Sequence, residues 1–327
     1  MPETSKNIVI FSEDMDPTTT LVMQWVLSLD FDVIRINKDD PNFQIVYLST
    51  ECVKIKTTYR SCLIKKGDVF WFRRAGAFSV FYTGKKNEKN VNSETFCFLE
   101  RQEAWRALIY WGLRFGKCLD NPFKADVNKL DVLIKAEDLG IQIPAWILTG
   151  SRKELCSFAE KYDKIATKNF TTLQYTHKNK AVKILTGCLF PKDISNVPIS
   201  FSPMIFQQYI EKKYELRCFL LCNRLYSMAI FSQQDDKTRI DFRNYNTQNP
   251  NRCHPYQLPL AIEKKIIRLA HLLGLDTASF DILIDRNDNL YFLEVNPVGQ
   301  FGMVSYPCNY NLEKKIAEHL VSLANGL

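Results

Sequence analysis

Residues 279–297 read SFDILIDRNDNLYFLEVNP. Asn and Asp both tolerate left-handed backbone, so a two-residue turn at Asn287-Asp288 is expected even without glycine. That turn sets Asp281 opposite Glu294 and Leu283 opposite Phe292. Facing residues of a strand pair sit about 4.5–5.5 Å apart at Cβ. Side chains alternate, so Asn296 projects from the same face as Glu294. The other face, Phe280, Ile282, Ile284, Tyr291, Leu293 and Val295, is wholly apolar. Two facing carboxylates beside an apolar pair repel one another. A divalent cation resolves the conflict. Oxygen-only donors with an amide two residues beyond a carboxylate suit Mg²⁺, which commonly combines one or two carboxylates with substrate phosphates. Without a cation, the same face reads as a solvated one on which Asp281 and Glu294 meet water.

The elements that must position this hairpin follow from periodicity. NIVIFS (7–12) is a short apolar strand, and a helix starts near Pro17 with Leu21, Trp25 and Leu29 at helical spacing. DVIRI (32–36) and DVFWFRR (68–74) read as strands, the second ending in Arg73-Arg74. Phe98, Ala104, Trp105, Leu108 and Trp111 mark a long helix over 94–115, with an aromatic stripe expected in the core. Another helix runs from Asp126 to Leu139, closed by Gly140 with Pro144 beyond. Strand 145–149, helix 151–161 and strand 163–167 follow. Residues 206–233 alternate as strands around a turn at Cys222-Asn223-Arg224, and helix 259–273 ends at Gly274. A helix over 312–324 closes the chain. The order predicts an α/β (α+β) protein with divisions at 1–120, 121–200 and 201–327.

Length and composition set the bounds. The 327 residues are 46% hydrophobic and 24% charged, which describes a globular chain too long for one small core. No apolar run approaches the roughly 20 residues of a membrane helix. The polar N-terminus lacks a secretory pattern, so a cytoplasmic setting is expected. Ten cysteines without a CxxC pair read as reduced thiols. Cys253-His254 adjoin, but no further ligand stands at metal-like spacing. The net charge of +7 favours an anionic partner. Lys and Arg are dispersed without an aromatic RNA-binding pattern, so nucleic acid is not expected.

Four segments then act together: an upstream lysine in IATKNF, LRCF, DFRNYN, and FDIL with FLEVNP. Their combination resembles the ATP-grasp carboxylate–amine ligases over 120–327. It is most similar to the ribosomal-protein glutamate ligases and, among these, the graspetide (microviridin-type) peptide macrocyclases. The ending EVNPVGQFGMVSYPCNYNLEKKIAEHL resembles the grasp-with-spasm maturases. FWFRRAGAFS fits the family's N-terminal domain more loosely.

The resemblance implies an ATP-grasp fold, with ATP between a central and a C-terminal domain. It implies Asp281, Glu294 and Asn296 as ligands of Mg²⁺, or of Mn²⁺ in its place. Lys129 and Lys168 match nucleotide-binding lysines, Gln208-Tyr209-Ile210 the adenine hinge, and Glu215 the ribose-binding acid. Arg217 and Arg243 match arginines at the transferred phosphate. The implied activity joins Asp or Glu carboxylates to Thr, Ser or Lys side chains of an acidic precursor peptide carrying a leader. A dimeric homo-oligomer is expected. The rival ligase activity adds amino acids to a protein or peptide terminus.

One departure stands out. The segment after Lys168 contains no glycine until Gly187, so Thr hydroxyls, Lys178 or Lys180 would have to cover the phosphates. Some residues also carry plain readings. Glu215 and Arg217 share a strand face and form an ordinary ion pair on that reading. Lys168 is equally a solvated strand end. Arg73-Arg74 is either an exposed strand terminus or a clamp for a substrate carboxylate or phosphate. Gly299 to Gly302 is either a flexible loop or a wall of the acceptor pocket.

Overall fold

The computed structural model describes residues 6–76, 93–168, 175–177, 180–182, 187–233, 248 and 250–326. The chain opens with β1 (Ile8–Ser12), α1 (Pro17–Ser28) and β2 (Val33–Asn37). The Asp16 carboxylate caps α1 by accepting the N–H groups of Thr18 and Thr19, and Pro17 supplies a preset first-turn φ. A meander follows, β3 (Gln44–Leu48), β4 (Cys52–Lys56) and β5 (Ser61–Lys65). Then come β6 (Val69–Trp71), α2 (Ser93–Phe115) and β7 (Lys117–Leu119).

Strands β2-β1-β6-β7 form a parallel sheet. Its strands are covered on both faces, which explains their continuous apolar sequence. Ile8 and Ile10 pack towards Val22 and Val26 of α1. Val9 and Phe11 pack towards Trp105 and Leu108 of α2. Two expectations need correction. The meander was not foreseen: β3 is exposed nearly throughout and carries no alternation, while the buried-exposed alternation of β4 and β5 was passed over. The strand expected over 68–74 stops at Trp71, and Arg73 turns inward to 3% exposure.

The middle of the chain contains α3 (Lys129–Asp138), β8 (Trp146–Ser151), α4 (Arg152–Ala159) and β9 (Ile165–Lys168). β10 (Tyr175–His177), β11 (Lys180–Val182), β12 (Gly187–Leu189) and β13 (Ser200–Gln208) complete it. Strands β12-β9-β13-β8 form an antiparallel sheet, covered by Leu155 and Phe158 of α4.

The last part holds β14 (Lys212–Leu221), β15 (Arg224–Phe231), β16 (Arg252–Tyr256) and α5 (Leu260–Leu273). β17 (Thr277–Asp285), β18 (Leu290–Asn296), α6 (Gly302–Cys308) and α7 (Leu312–Asn325) follow. The antiparallel sheet β16-β15-β14-β17-β18 has two unlike faces. On one, Leu216, Phe280, Ile282 and Phe292 pack against Val132 of α3 and Ile266 and Leu269 of α5. Each such burial contributes about 1.5–3 kcal/mol. On the other, Phe219, Leu221, Met228 and Ile230 join Ile8, Ile10, Ile316 and Leu320 in a single core. The beginning and end of the chain therefore share a core.

A polar latch reinforces that junction. Asp120, at φ 66°, accepts hydrogen bonds from Thr277 N (2.8 Å) and Thr277 Oγ1 (2.7 Å). Asp276 in turn accepts the backbone N–H of Asp120 (3.0 Å). All ten cysteines are free thiols. No described helix is long and apolar enough to cross a membrane.

Candidate functional site

Antiparallel pairing places Arg217 of β14 opposite Asp281 of β17, and Asp281 opposite Glu294 of β18. Ser279 lies opposite Asn296. By strand alternation Glu215, Arg217, Ser279, Asp281, Glu294 and Asn296 share the face not covered by α3 and α5.

The hairpin reaches this arrangement by a different route from the one expected. Its loop has three residues, Arg286, Asn287 and Asp288, with Asp288 left-handed at φ 63°. The Asp285 carboxylate organises the loop by accepting the N–H groups of Asn287 (2.9 Å) and Asn289 (2.8 Å). Ile282 then pairs with Phe292 and Leu283 with Tyr291, one residue away from the expected register. A bulge between Asp281 and Ile282 returns the strands to step, with Leu293 as the extra residue. Two offsets cancel, and Asp281 still faces Glu294. Phe292 accordingly belongs to the buried face and Tyr291 to the site face.

Arg217 Nη1 contacts both oxygens of Asp281, at 2.5 and 2.7 Å. Asn296 Nδ2 donates to Asp281 Oδ2 at 3.4 Å. The guanidinium offsets the repulsion between the facing acids, and Arg217 Nε is buried without a partner among the described residues. The donors that a cation would meet are two carboxylates and an amide, all oxygen, which fits Mg²⁺. No group of three or more His, Cys, Asp or Glu able to hold a metal occurs among the described residues. Substrate or water oxygens would have to complete the shell.

Glu215 lies two residues before Arg217 and is buried. Its Oε1 receives Lys212 Nζ (2.9 Å) and Ser232 Oγ (2.8 Å). Burial raises its carboxyl above the usual range, while Lys212 and Ser232 pull it back. The Glu215–Arg217 ion pair expected on the plain reading is replaced by Lys212–Glu215 and Arg217–Asp281.

The two N-terminal arginines differ. Arg73 donates from Nη1 to Gly299 O (2.9 Å), lies over the Phe301 ring at 5.0 Å, and sits 3.6 Å from Asp16. Burial pushes its guanidinium down to about 10, against the opposing charge of Asp16. Arg74 remains partly exposed and binds Asp16 (2.9 Å) and Glu13 (3.1 Å). Burial raises the Asp16 carboxyl, but Thr18 and the two arginines outweigh it and bring the group to about 2.

Arg73 thereby grips the loop that follows Asn296. A Cβ on Gly299 would lie 2.1 Å from Ser279 Oγ and 2.5 Å from Ser279 N, so only glycine fits there. Phe301 is fully buried, and Gly302 begins α6. Ser279 and Lys212 were not singled out from the sequence, whereas Gly299 to Gly302 stood there as either a flexible loop or a pocket wall. Ser279 was findable as the residue two before Asp281, hence on its face.

The remaining candidates are spread over the adjoining elements. Lys129 is the first residue of α3 and Lys168 the last of β9. Gln208 ends β13, and the Gln208 and Tyr209 N–H groups bond Ala145 O (2.8 Å) and Lys164 O (3.1 Å). Lys164 Nζ also stands 4.6 Å from the Tyr209 ring centre, and Ile210 is buried. Arg243 and Lys178 lie outside the described residues, and Lys180 begins β11.

Solved structures match nearly the whole chain. A RiPP-associated ATP-grasp ligase from Chryseobacterium gregarium, in complex with ADP and a leader and core peptide, is 21% identical with a TM-score of 0.80. The match covers 98% of this chain and 97% of that one. The macrocyclase MdnC from Microcystis aeruginosa, bound with precursor peptide MdnA, is 23% identical with a TM-score of 0.76, over 97% and 99% of the two chains. The ATP-grasp ligase PsnB, complexed with minimal precursor, Mg and ADP, is 15% identical with a TM-score of 0.73, over 97% and 98%. No curated protein sequence matches the chain. The fold common to these structures is the ATP-grasp fold. Residues 126–320, well over half of the chain, match the RimK-like ATP-grasp domain, and the chain belongs to that family.

Proposed function

We propose that this protein is an ATP-dependent ligase that forms ester or amide crosslinks between side chains of a ribosomal precursor peptide. The observation that carries the reading is the Arg217–Asp281 contact facing Glu294 and Asn296, on one sheet face of a RimK-like ATP-grasp chain. The solved structures described with precursor peptides support a peptide as partner.

On this reading the nucleotide lies between the β12-β9-β13-β8 sheet and the β16-β15-β14-β17-β18 sheet. Gln208, Tyr209 and Ile210 line the adenine end, Glu215 the ribose, and Lys129 and Lys168 the phosphates. Arg217 and Arg243 hold the transferred phosphate. Phosphoryl transfer asks the protein for positioning and charge neutralisation above all. Asp281, Glu294 and Asn296 would hold Mg²⁺, which neutralises charge on the phosphate oxygens when bound. An Asp or Glu carboxylate of the peptide attacks the terminal phosphate, giving an acyl phosphate and ADP. A Thr, Ser or Lys side chain then displaces phosphate. Arg73, through Gly299 O, and Arg74 border the entrance for the peptide. Exclusion of water protects the acyl phosphate from hydrolysis. The setting proposed is cytoplasmic.

The test is incubation of the full chain with ATP, Mg²⁺ and peptides rich in Thr, Asp and Glu. Loss of one water from the peptide for each ADP released is the expected result. A mass gain after addition of free amino acids assigns terminal ligation instead. ADP release with no mass change in any peptide overturns the crosslinking reading.

A further inference from the structure

The N-terminal meander presents a face that the ligase reading does not use. Its inner side chains, Val53, Ile55, Cys62 and Ile64, are buried against α2 and β1. Its outer side carries Lys54 and Lys56 of β4 and Lys65 of β5, all exposed. Lys54 lies between Tyr47 of β3 and Leu63 of β5, and Lys56 between Gln44 and Ser61. Strands β3, β4 and β5 contain no Asp or Glu. None of these lysines forms an ion pair among the described residues.

Beside this face runs an open edge. In the strand order β3-β4-β5, β3 has a neighbour on one side only among the described residues. Val46, Tyr47 and Leu48 of β3 are 53%, 46% and 40% exposed. Edge strands are usually blunted by charge or proline, because unpaired backbone groups recruit another strand. QIVYL has neither.

We propose that this sheet is a docking surface for an extended acidic peptide segment, which adds a strand along β3 and places its carboxylates over Lys54, Lys56 and Lys65. Peptide strands bind in this way through main-chain hydrogen bonds, with specificity from alternate side chains. Lys54 and Lys56 are two residues apart on one strand, about 6.5–7 Å, which is the spacing of alternate acids in an extended peptide. Tyr47 and Leu63 supply apolar contact between the cations. A nucleic acid would use the lysines but not the open edge. A second copy pairing through β3 would bring like-charged faces side by side. The occupant that the surface fits is a segment of the precursor outside its crosslinked part, and this identification rests on the ligase reading above.

The test uses the full-length protein and a fluorescein-labelled decapeptide of alternating Thr and Glu, followed by anisotropy. Binding is expected to be salt-sensitive and absent for the Thr–Lys counterpart. The triple variant Lys54→Gln/Lys56→Gln/Lys65→Gln, whose changes are all on the surface, is expected to weaken it at least about tenfold. A decapeptide N-methylated at every residue, which has no N–H to offer an edge strand, is expected to bind no better than the Thr–Lys control. Equal affinity of the triple variant and the parent overturns the proposal. So does displacement of the peptide by oligo(dT), or dimerisation that the triple variant leaves intact and the peptide abolishes. ATP-dependent loss of water with no binding at this face removes the docking surface and leaves the ligase reading standing. Peptide binding at this face without ATP turnover does the reverse.

Discussion

Strand β17 brings carboxylates together twice, and the two places are built in opposite ways. At its start, Asp276 and Asp120 are surrounded by protein donors: both Asp120 oxygens accept from Thr277, and Asp276 accepts from the Asp120 backbone. Loss of water pushes the Asp120 carboxyl up to about 7, and the Asp276 charge adds to this against the pull of Thr277 and Arg73. In the middle of the strand, Asp281 faces Glu294 and is met by a guanidinium. The first pair closes on itself and ties the end of β7 to the start of β17. The second is held by side chains, the Arg217 guanidinium and the Asn296 amide, on the sheet face opposite α3 and α5. On the ligase reading proposed above, this difference separates a structural pair of acids from a pair that would hold a cation.

The largest test of that distinction is Glu294→Gln. It keeps the shape and removes one of two facing negative charges. ATP turnover and crosslinking are expected to fall about 10²–10³-fold, the scale of losing one preorganised electrostatic group. Stability is expected to stay within about 0.5 kcal/mol, since facing like charges do not stabilise the strand pair. Steady-state ADP release and a thermal melt read the two outcomes separately. A variant that melts early while its folded fraction turns over normally would make Glu294 a structural acid like Asp120.

The converse variant is Asp120→Ala. It deletes two acceptor bonds and leaves a residue with Cβ in left-handed backbone. A loss of about 2–3 kcal/mol is expected in urea unfolding, with turnover per folded molecule unchanged. A drop in turnover without loss of stability would connect the latch to the chemistry.

pH separates the two acids without disturbing the site. The Asp120 carboxyl ends near 7 in the folded state, above its ordinary 3.8. Between those values the folded state holds a proton that the unfolded chain has lost, so stability declines as pH rises from about 4 to about 7 and is flat above. Asp120→Asn is expected to remove that slope. Asp16 behaves in the opposite sense. Its carboxyl ends at about 2, so its contribution is present above 3.8 and is lost only as pH falls from there towards 2. Urea midpoints across pH 3–9 distinguish the two windows, and a slope that survives in Asp120→Asn would assign it elsewhere.

Much of this contrast was readable in advance, but unevenly. The Asp281–Glu294 pairing follows from local alternation, and it survived an error in the turn because the bulge at Leu293 cancels the extra loop residue. Strands β1 and β2 were legible, since their apolar runs need no distant partner to be recognised, but their parallel pairing was not read. The Asp120–Asp276 latch was not readable, since its members are 156 residues apart and neither sits in a patterned segment. The inward turn of Arg73 was hidden for the same reason. Its partner is the Gly299 carbonyl, a backbone group that carries no side-chain signal. In the meander only β3, exposed on both faces, has no alternation to detect; β4 and β5 alternate between buried and exposed residues, a signal that was present and passed over.

A third acid on the same hairpin gives the smallest effect and extends the comparison to the surface. Asp288 occupies the loop at φ 63° and contacts Lys213 Nζ at 2.7 Å, with the two side chains 64% and 49% exposed. An ion pair that open contributes at most a few tenths of a kcal/mol, because water screens it and two side chains lose freedom to form it. Left-handed backbone costs a residue with Cβ more than that, although Asp bears it better than most. Asp288→Gly therefore exchanges a weak ion pair for relief of backbone strain, and glycine's greater freedom in the unfolded chain takes back part of the gain. The expected balance is stabilisation of about 0.5 kcal/mol, read as a small rise in urea midpoint at unchanged slope, with turnover unaffected. Loss of stability would mean that Asp288 also holds the three-residue loop in register. Turnover would then fall as well, since a hairpin slipping by one residue carries Glu294 away from Asp281 to the opposite face.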